Sequence, residues 1–83
     1  MKIKIKIKPR TYYKLLYNNG SYDIIYTGTK CAYLIAYKLG NQPLVKYTKK
    51  FKWKTIRGWQ EYIKRCNIKT KIMSKGDLFL ELL

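Results

Sequence analysis

The sequence predicts an α+β fold: a small single domain, mainly antiparallel sheet, with two helices packed on one face. Several short segments alternate apolar and polar residues, as half-buried strands do. Two longer segments have the composition or periodicity of helices, and turn-forming residues separate the segments. With 83 residues, of which 47% are hydrophobic, the chain is expected to form one basic domain over residues 1–83 with a small core. The expected order of elements is roughly β-β-β-α-β-α-β.

The first three elements are predicted to be strands. Residues 2–8 read KIKIKIK, which places isoleucines on one face of a strand and lysines on the other, and Pro9 should end it. Residues 12–17 form a second strand candidate. Asn18-Asn19-Gly20 is a hairpin signal, because Asn and Gly tolerate positive φ, and residues 21–26 should pair back.

A buried helix is predicted over residues 30–39. The segment KCAYLIAYKL is apolar nearly all round, as expected for a helix packed on a sheet. Thr29 is a suitable N-cap and Gly40 a suitable C-terminal stop.

Residues 44–53 alternate again and predict another strand. Its apolar positions are expected to form one buried face and its lysines the opposite, exposed face. Lys49 interrupts the apolar face, which predicts a bulge or an edge strand at that point. The apolar positions are Val45, Tyr47, Phe51 and Trp53.

The remaining chain predicts a helix, a short strand and an apolar tail. Thr55 should cap a helix that ends near residue 66, with Ile56, Trp59, Ile63 and Cys66 on its buried stripe. Residues 68–73 alternate as a strand, and residues 74–77 are a turn. The tail 78–83 is expected to pack as a final strand or helix, the alternative being a partner-binding or homodimer contact.

Charge is the strongest compositional signal. The chain has 19 Lys and Arg against 4 Asp and Glu, a net charge of +15 and a pI near 10.0. Asp23 and Glu61 have no acid between them, so the basic residues from Lys46 to Arg57 lack local neutralisation. Phosphate polymers, anionic membranes and acidic protein faces are the natural partners of such a chain.

The composition argues against an enzyme. The chain contains no His, the commonest general base and metal ligand. Four dispersed carboxylates do not suggest a metal centre, and no Gly-rich phosphate loop occurs. Cys31 and Cys66 are too few and too far apart for zinc, and are expected to be free thiols with small buried side chains. No cofactor, metal or small-molecule substrate is therefore expected.

An intracellular, cytoplasmic location is expected. The N-terminal segment lacks the apolar core of a secretory signal. The longest apolar run, residues 31–37, is far too short to span a bilayer, and no basic amphipathic helix with a free apolar face is evident, so membrane binding is not the expected function.

Three sets of residues are candidates for binding a polyanion. Same-face residues of a strand repeat every ~7 Å, which suits a row of phosphates, although edge lysines also prevent aggregation. In the second set an exposed aromatic neighbour would stack on bases, but strict alternation favours buried aromatics. The third set lies on a helix, where Arg and Gln read base edges or simply face water. The sets are Lys2, Lys4, Lys6 and Lys8; Lys46, Lys49, Lys50, Lys52, Lys54 and Arg57; and Arg57, Gln60, Lys64 and Arg65.

The expected function is non-enzymatic binding of nucleic acid, DNA or RNA. Lysine is a compact point charge, so contacts to the phosphate backbone, weak sequence specificity and a steep salt dependence are expected. The alternative is a phage- or virus-encoded inhibitor or adaptor, of the kind that inhibits CRISPR complexes, which occupies the nucleic-acid groove or guide of a host nucleoprotein machine. A structural RNA-bound protein fits the charge, but such proteins often carry disordered basic tails and more Arg.

Overall fold

A computed structural model describes residues 7–83, and for residues 48–51 it describes the backbone alone. It confirms an α+β class built on an antiparallel sheet. Of the predicted strand 2–8, only Ile7 and Lys8 fall within the described residues, and neither is in a strand. The elements are β1 (Tyr12–Leu16), β2 (Tyr22–Thr27), β3 (Cys31–Lys38), β4 (Val45–Thr55), α1 (Ile56–Arg65), β5 (Lys69–Met73) and α2 (Lys75–Leu82).

The described strands form one sheet in the order β4-β3-β2-β1-β5, and every neighbouring pair is antiparallel. The first four strands are a meander, in which each strand pairs with the next. Helix α1 then carries the chain from β4 at one side of this sheet to β5 at the other. It therefore crosses the whole of one sheet face.

The predicted hairpin between β1 and β2 is confirmed. The amide of Tyr17 donates to the carbonyl of Ser21 at 2.9 Å, and Gly20 has a φ of +83°. A side chain at that φ would be strained, so the turn requires glycine there. The side chain of Asn19 accepts from the Ser21 amide at 3.0 Å and holds the turn closed.

The predicted helix over residues 30–39 is wrong, because this segment is the strand β3. Ala32 and Leu34 pack with the core on one side of the sheet, and Ala36 packs with the core on the other. An apolar run is typical of a strand buried on both faces as well as of a buried helix, so periodicity did not separate the two. The correct order of the described elements is β-β-β-β-α-β-α.

The two helices lie on opposite faces of the sheet, which corrects the prediction that they share one. Ile24 and Ile25 are neighbours in β2, both fully buried, and belong to different core clusters. The Ile25 cluster contains Trp59 and Ile63 of α1, whereas Leu78 of α2 packs against the Ile24 cluster. Because α1 covers the face of the Ile25 cluster, α2 packs on the face of the Ile24 cluster. These are called the α1 face and the α2 face below.

The helix α1 matches its prediction except at its end. The hydroxyl of Thr55 accepts from the Gly58 amide at 3.0 Å and caps the first turn. Trp59 and Ile63 are buried, but Cys66 is exposed, contrary to the prediction of a buried thiol. Cys66 is the C-cap residue, so the chain has already turned away from the helical stripe.

The apolar tail forms α2, and the predicted turn 74–77 is its first turn. Ser74 and Asp77 make a capping box, in which each side chain accepts from the other residue's amide. No residue of α2 is buried. Phe79, Leu80 and Leu83 are 66%, 70% and 82% exposed.

The strand β4 is irregular, as Lys49 suggested. Ala36 pairs with Lys46 and Leu34 with Phe51, so β4 has extra residues across this interval, which contains Lys49. The predicted buried apolar face is wrong at both ends, because Val45 is 39% and Trp53 63% exposed, whereas Tyr47 is half-buried against the core of the α1 face. A strand with a broken register does not keep one face against the core.

Candidate nucleic-acid interface

The lysines of β4 do not share one face. Lys46 pairs with Ala36, which belongs to the core cluster of the α2 face. Lys54 pairs with Ala32, which belongs to the cluster of the α1 face. Both lysines are exposed, but they lie near opposite ends of the strand. The side chains of Lys49 and Lys50 lie outside the described residues.

The Thr55 end of β4 pairs with the start of β3, and basic residues from β4, from α1 and from the β2–β3 turn lie at this point. The amide of Ile56, which opens α1, donates to the carbonyl of Lys30 at 2.9 Å. Lys54 lies two residues before Ile56, and Arg57 follows it directly. We call Lys30, Lys52, Lys54 and Arg57 the basic corner; all four are exposed. Lys30 was missed in the sequence because it was assigned to a helix, and only the β3–β4 pairing brings it here.

Lys54 is held over the aromatic side chains of α1. Its ammonium nitrogen lies 4.4 Å from the ring centroid of Tyr62 and 5.1 Å from that of Trp59. The indole of Trp59 is itself fixed, because its Nε1 donates to the carbonyl of Ala32 at 2.8 Å. Cation–π attraction at such sites is worth about 0.5–1 kcal/mol, enough to favour one position of the ammonium while it stays exposed.

The helical candidates divide between the two ends of α1. Arg57 lies 3.7 Å from Glu61, but the two side chains are 85% and 60% exposed, so the pair is weak. Gln60 is half-buried and is not part of an open recognition face. Lys64 and Arg65 are exposed in the last turn, where their charge complements the helix dipole. Arg57 and Lys64 are about 10 Å apart along the axis, from a rise of about 1.5 Å per residue.

Lys8 is the described member of the N-terminal lysine stripe, since Lys2, Lys4 and Lys6 lie outside the described residues. Its side chain is exposed, and its amide donates to the Tyr13 hydroxyl at 2.8 Å. Its carbonyl accepts from the buried hydroxyl of Thr27, also at 2.8 Å. Thr27 ends β2, so Lys8 is fixed at the end of the sheet from which the chain turns to Lys30. Arg10 is exposed beside it.

A row of tyrosines crosses the α2 face near the Thr27 end of the sheet. Tyr12, Tyr26 and Tyr33 are cross-strand partners on β1, β2 and β3. Their ring centroids are 4.7 Å and 6.1 Å apart, and the rings are half-buried. The pairings on either side of Tyr33 place Lys52 and Trp53 of β4 opposite it, and Lys52 has the left-handed φ of +47° common in bulges.

Trp53 extends this row to β4. Lys54 lies over α1 side chains, and neighbouring strand residues point to opposite faces, so Trp53 lies on the α2 face with Tyr33. We call Tyr12, Tyr26, Tyr33 and Trp53 the aromatic row. Sequence reasoning singled out Trp53 but expected it to be buried, and it missed the three tyrosines, whose alignment depends on the strand register.

Asp23 lies in a network of hydroxyl groups on the α1 face. The Tyr17 hydroxyl donates to its carboxylate at 2.5 Å and lies 3.1 Å from the Tyr62 hydroxyl. Burial raises the pKa of Asp23, while the Tyr17 hydrogen bond and the charge of Lys52 oppose that shift. Burial and the bond to Asp23 also raise the pKa of Tyr17. Asp23 therefore offsets part of the charge of Lys52.

Glu81 of α2 is neutralised within the domain. Its carboxylate accepts from the ammonium of Lys14 and, at 2.9 Å, from the hydroxyl of Tyr22. The Lys14 hydrogen bond lowers the pKa of Glu81, and burial raises the pKa of Tyr22 to about 12. Asp77 is occupied in the capping box of α2. Asp23 and Glu61 partly offset two members of the basic corner, Lys52 and Arg57, and the corner as a whole keeps a net positive charge.

Within residues 7–83, no group of three or more His, Cys, Asp or Glu residues is arranged to hold a metal ion. None of the helices described has the length and apolar character needed to cross a membrane. Cys31, which is half-buried, and the exposed Cys66 are free thiols. No family model, curated protein or solved structure matches this chain.

Proposed function

We propose that this chain is a non-enzymatic nucleic-acid-binding protein that holds the phosphate backbone at the basic corner. The observation that carries the proposal is the convergence of Lys30 from the β2–β3 turn, Lys54 from β4 and Arg57 from α1. Three exposed cations that lie close together attract consecutive phosphates more strongly than three cations that are spread over the surface. Lys8 and Arg10 extend the positive surface along the same end of the sheet.

The expected contacts fix the position of the nucleic acid through its phosphates and do not read its base sequence. Lysines bind phosphates as point charges, and the arginine fork makes bidentate contacts with phosphate oxygens. The half-buried Gln60 offers little for reading base edges. Weak dependence on sequence and strong dependence on salt follow from these contacts.

A charge-matched comparison of two triple variants tests the proposal. Lys30→Gln with Lys54→Gln and Arg57→Gln removes three charges from the basic corner. Lys69→Gln with Lys71→Gln and Lys75→Gln removes three exposed charges from the β5 side and leaves the same net charge. Binding of labelled single strands, duplex DNA and RNA would be followed by fluorescence anisotropy across a salt series.

The corner variant should bind at least tenfold more weakly than the β5 variant at about 150 mM salt. Its slope of log K against log salt should also fall by about two to three, at ~0.7–0.9 per lost phosphate contact. Equal losses in the two variants would show that net charge alone attracts the ligand, and would overturn the assignment. Loss of all binding by the parent chain at that salt would overturn the nucleic-acid function and favour an acidic protein or nucleoprotein face.

A further inference from the structure

The aromatic row occupies a part of the α2 face that α2 leaves uncovered. Leu78 and Leu82 pack against the cluster of Ile24, Ala36 and Met73. Tyr12 touches this cluster, but Tyr26 and Tyr33 are in neither core cluster. They lie toward the Thr27 end of the sheet, beyond the residues that α2 packs against.

Sheet stability accounts for only part of this arrangement. Cross-strand aromatic pairs stabilise antiparallel strands by about 0.2–1 kcal/mol, which is sufficient reason for three aligned tyrosines. It gives no reason for Trp53, whose large ring is 63% exposed on β4. An exposed indole at the end of a row of half-buried rings, close to a basic surface, is the combination that binds bases and phosphates together.

The dimensions and charges of the row suit a short single strand. Four adjacent strands span about 14 Å, since neighbouring strands lie ~4.8 Å apart, and sheet-borne aromatics commonly stack on two or three bases. Arg10 lies two residues before Tyr12 at one end of the row. At the other end Lys54 lies over α1 side chains, on the opposite face of β4 from Trp53. A strand whose bases lie along the row would therefore pass Arg10 at one end and pass round the Thr55 end of β4 to reach the basic corner at the other.

We infer that the ligand class is single-stranded nucleic acid, whose unpaired bases stack on the aromatic row while its phosphates reach the basic corner. A duplex keeps its bases stacked inside the helix, where the rings cannot meet their faces. The inference rests on the proposed function and specifies its ligand. Trp53, the most exposed ring of the row, should contribute the largest single stack.

The test separates stacking from phosphate binding. Three ligands of about 12 units would be compared, within the site sizes usual for single strands: oligo(dT), an abasic strand with the same phosphates, and a duplex. Trp53→Ala removes the stack and Trp53→Phe retains an aromatic ring. Phe79→Ala removes another exposed aromatic ring, 66% exposed, from α2 and serves as the matched control.

Trp53→Ala should weaken oligo(dT) binding by about five- to a hundredfold, the range for loss of one base–aromatic stack. Trp53→Phe should recover much of that loss, and Phe79→Ala should change binding less than twofold. Trp53→Ala should leave the abasic strand unaffected. An equal effect of Trp53→Ala on both strands, or no effect on oligo(dT), would overturn the inference.

The two proposals fail in different ways. If the abasic strand binds through the basic corner but oligo(dT) binds no better and ignores Trp53, the stacking inference is wrong and the phosphate site stands. If neither strand binds at about 150 mM salt, the proposed function itself is wrong.

Discussion

Tyrosine is used in opposite ways on the two faces of the sheet. On the α1 face the hydroxyls of Tyr17 and Tyr62 join Asp23 in a hydrogen-bonded network beneath a helix. On the α2 face Tyr26 and Tyr33 contact ring to ring beyond the reach of a helix. All four tyrosines are half-buried, but Tyr17 and Tyr62 pack against the core cluster of the α1 face, and Tyr26 and Tyr33 belong to neither cluster. Coverage by the helices, rather than composition, separates the stable face from the proposed binding face.

The two helices also differ in how much of their surface they bury. Helix α1 buries Trp59 and Ile63 and crosses from one side of the sheet to the other, whereas α2 buries no residue. The fold should therefore depend on the α1 face, and the α2 face should tolerate change. Substitutions on each face test this contrast.

Trp59→Ala should have the largest effect on stability. It removes a ring that is 3% exposed and the hydrogen bond to Ala32, so the free energy of unfolding should fall by about 3–5 kcal/mol. Trp53→Ala, which removes the same side chain from the α2 face, should cost less than about 0.5 kcal/mol. Urea unfolding of both variants measures the difference, and similar losses would mean that the faces are packed alike.

Glu81→Gln should have an intermediate, pH-dependent effect. Lys14 lowers the pKa of Glu81 in the fold, so the stabilisation is present above the usual carboxyl pKa and is lost as the pH falls through the lowered value. The substitution should therefore destabilise by about 1 kcal/mol near pH 7 and much less in acid. Glu61→Gln on the exposed Arg57 pair is the control and should change little. A pH-independent loss would indicate that packing of α2, and not charge, was affected.

Asp23→Asn should have the smallest effect and the opposite pH dependence. Burial raises the pKa of Asp23 in the fold, so its contribution is most favourable below the usual carboxyl pKa and is lost as the pH rises through the raised value. Relative to the parent chain, the Asn variant should gain a few tenths of a kcal/mol in unfolding free energy from acid to neutral pH, within the range of small substitutions. A change of stability in the Glu81 direction would show that the Tyr17 hydrogen bond outweighs burial.

Local signals were sufficient for the β1–β2 hairpin and for helix α1. Asn19 and Gly20 specified the β1–β2 hairpin, and Thr55 with the Trp59 and Ile63 stripe specified α1. The predicted helix over residues 30–39 failed because the environment that selects a strand is the sheet on both sides of β3. A segment that is apolar all round can form a buried helix or a strand buried on both faces, and its contacts with neighbouring elements decide between the two.

The candidate site was predicted in part. Lys54 and Arg57 were expected to lie together and do, but Lys46 lies near the other end of β4. Lys30 and the tyrosines of the row were missed because strand pairing, and not distance along the chain, brings them to the site. Trp53 was expected to be buried, since alternation predicts a face but does not say whether that face is covered.

The charge, the lack of histidine, the hairpin, the amphipathic helix α1 and the alternating strands β4 and β5 follow from the amino-acid sequence alone, because each depends on residue chemistry or on a short-range period. Long-range contacts determine that residues 31–38 are a strand, that the helices pack on opposite faces, and that the backbone of Lys30 bonds to Ile56 close to Lys54. Register and coverage depend on contacts between residues far apart in the chain. These contacts are stabilised by the burial of apolar surface that no single segment can bury alone.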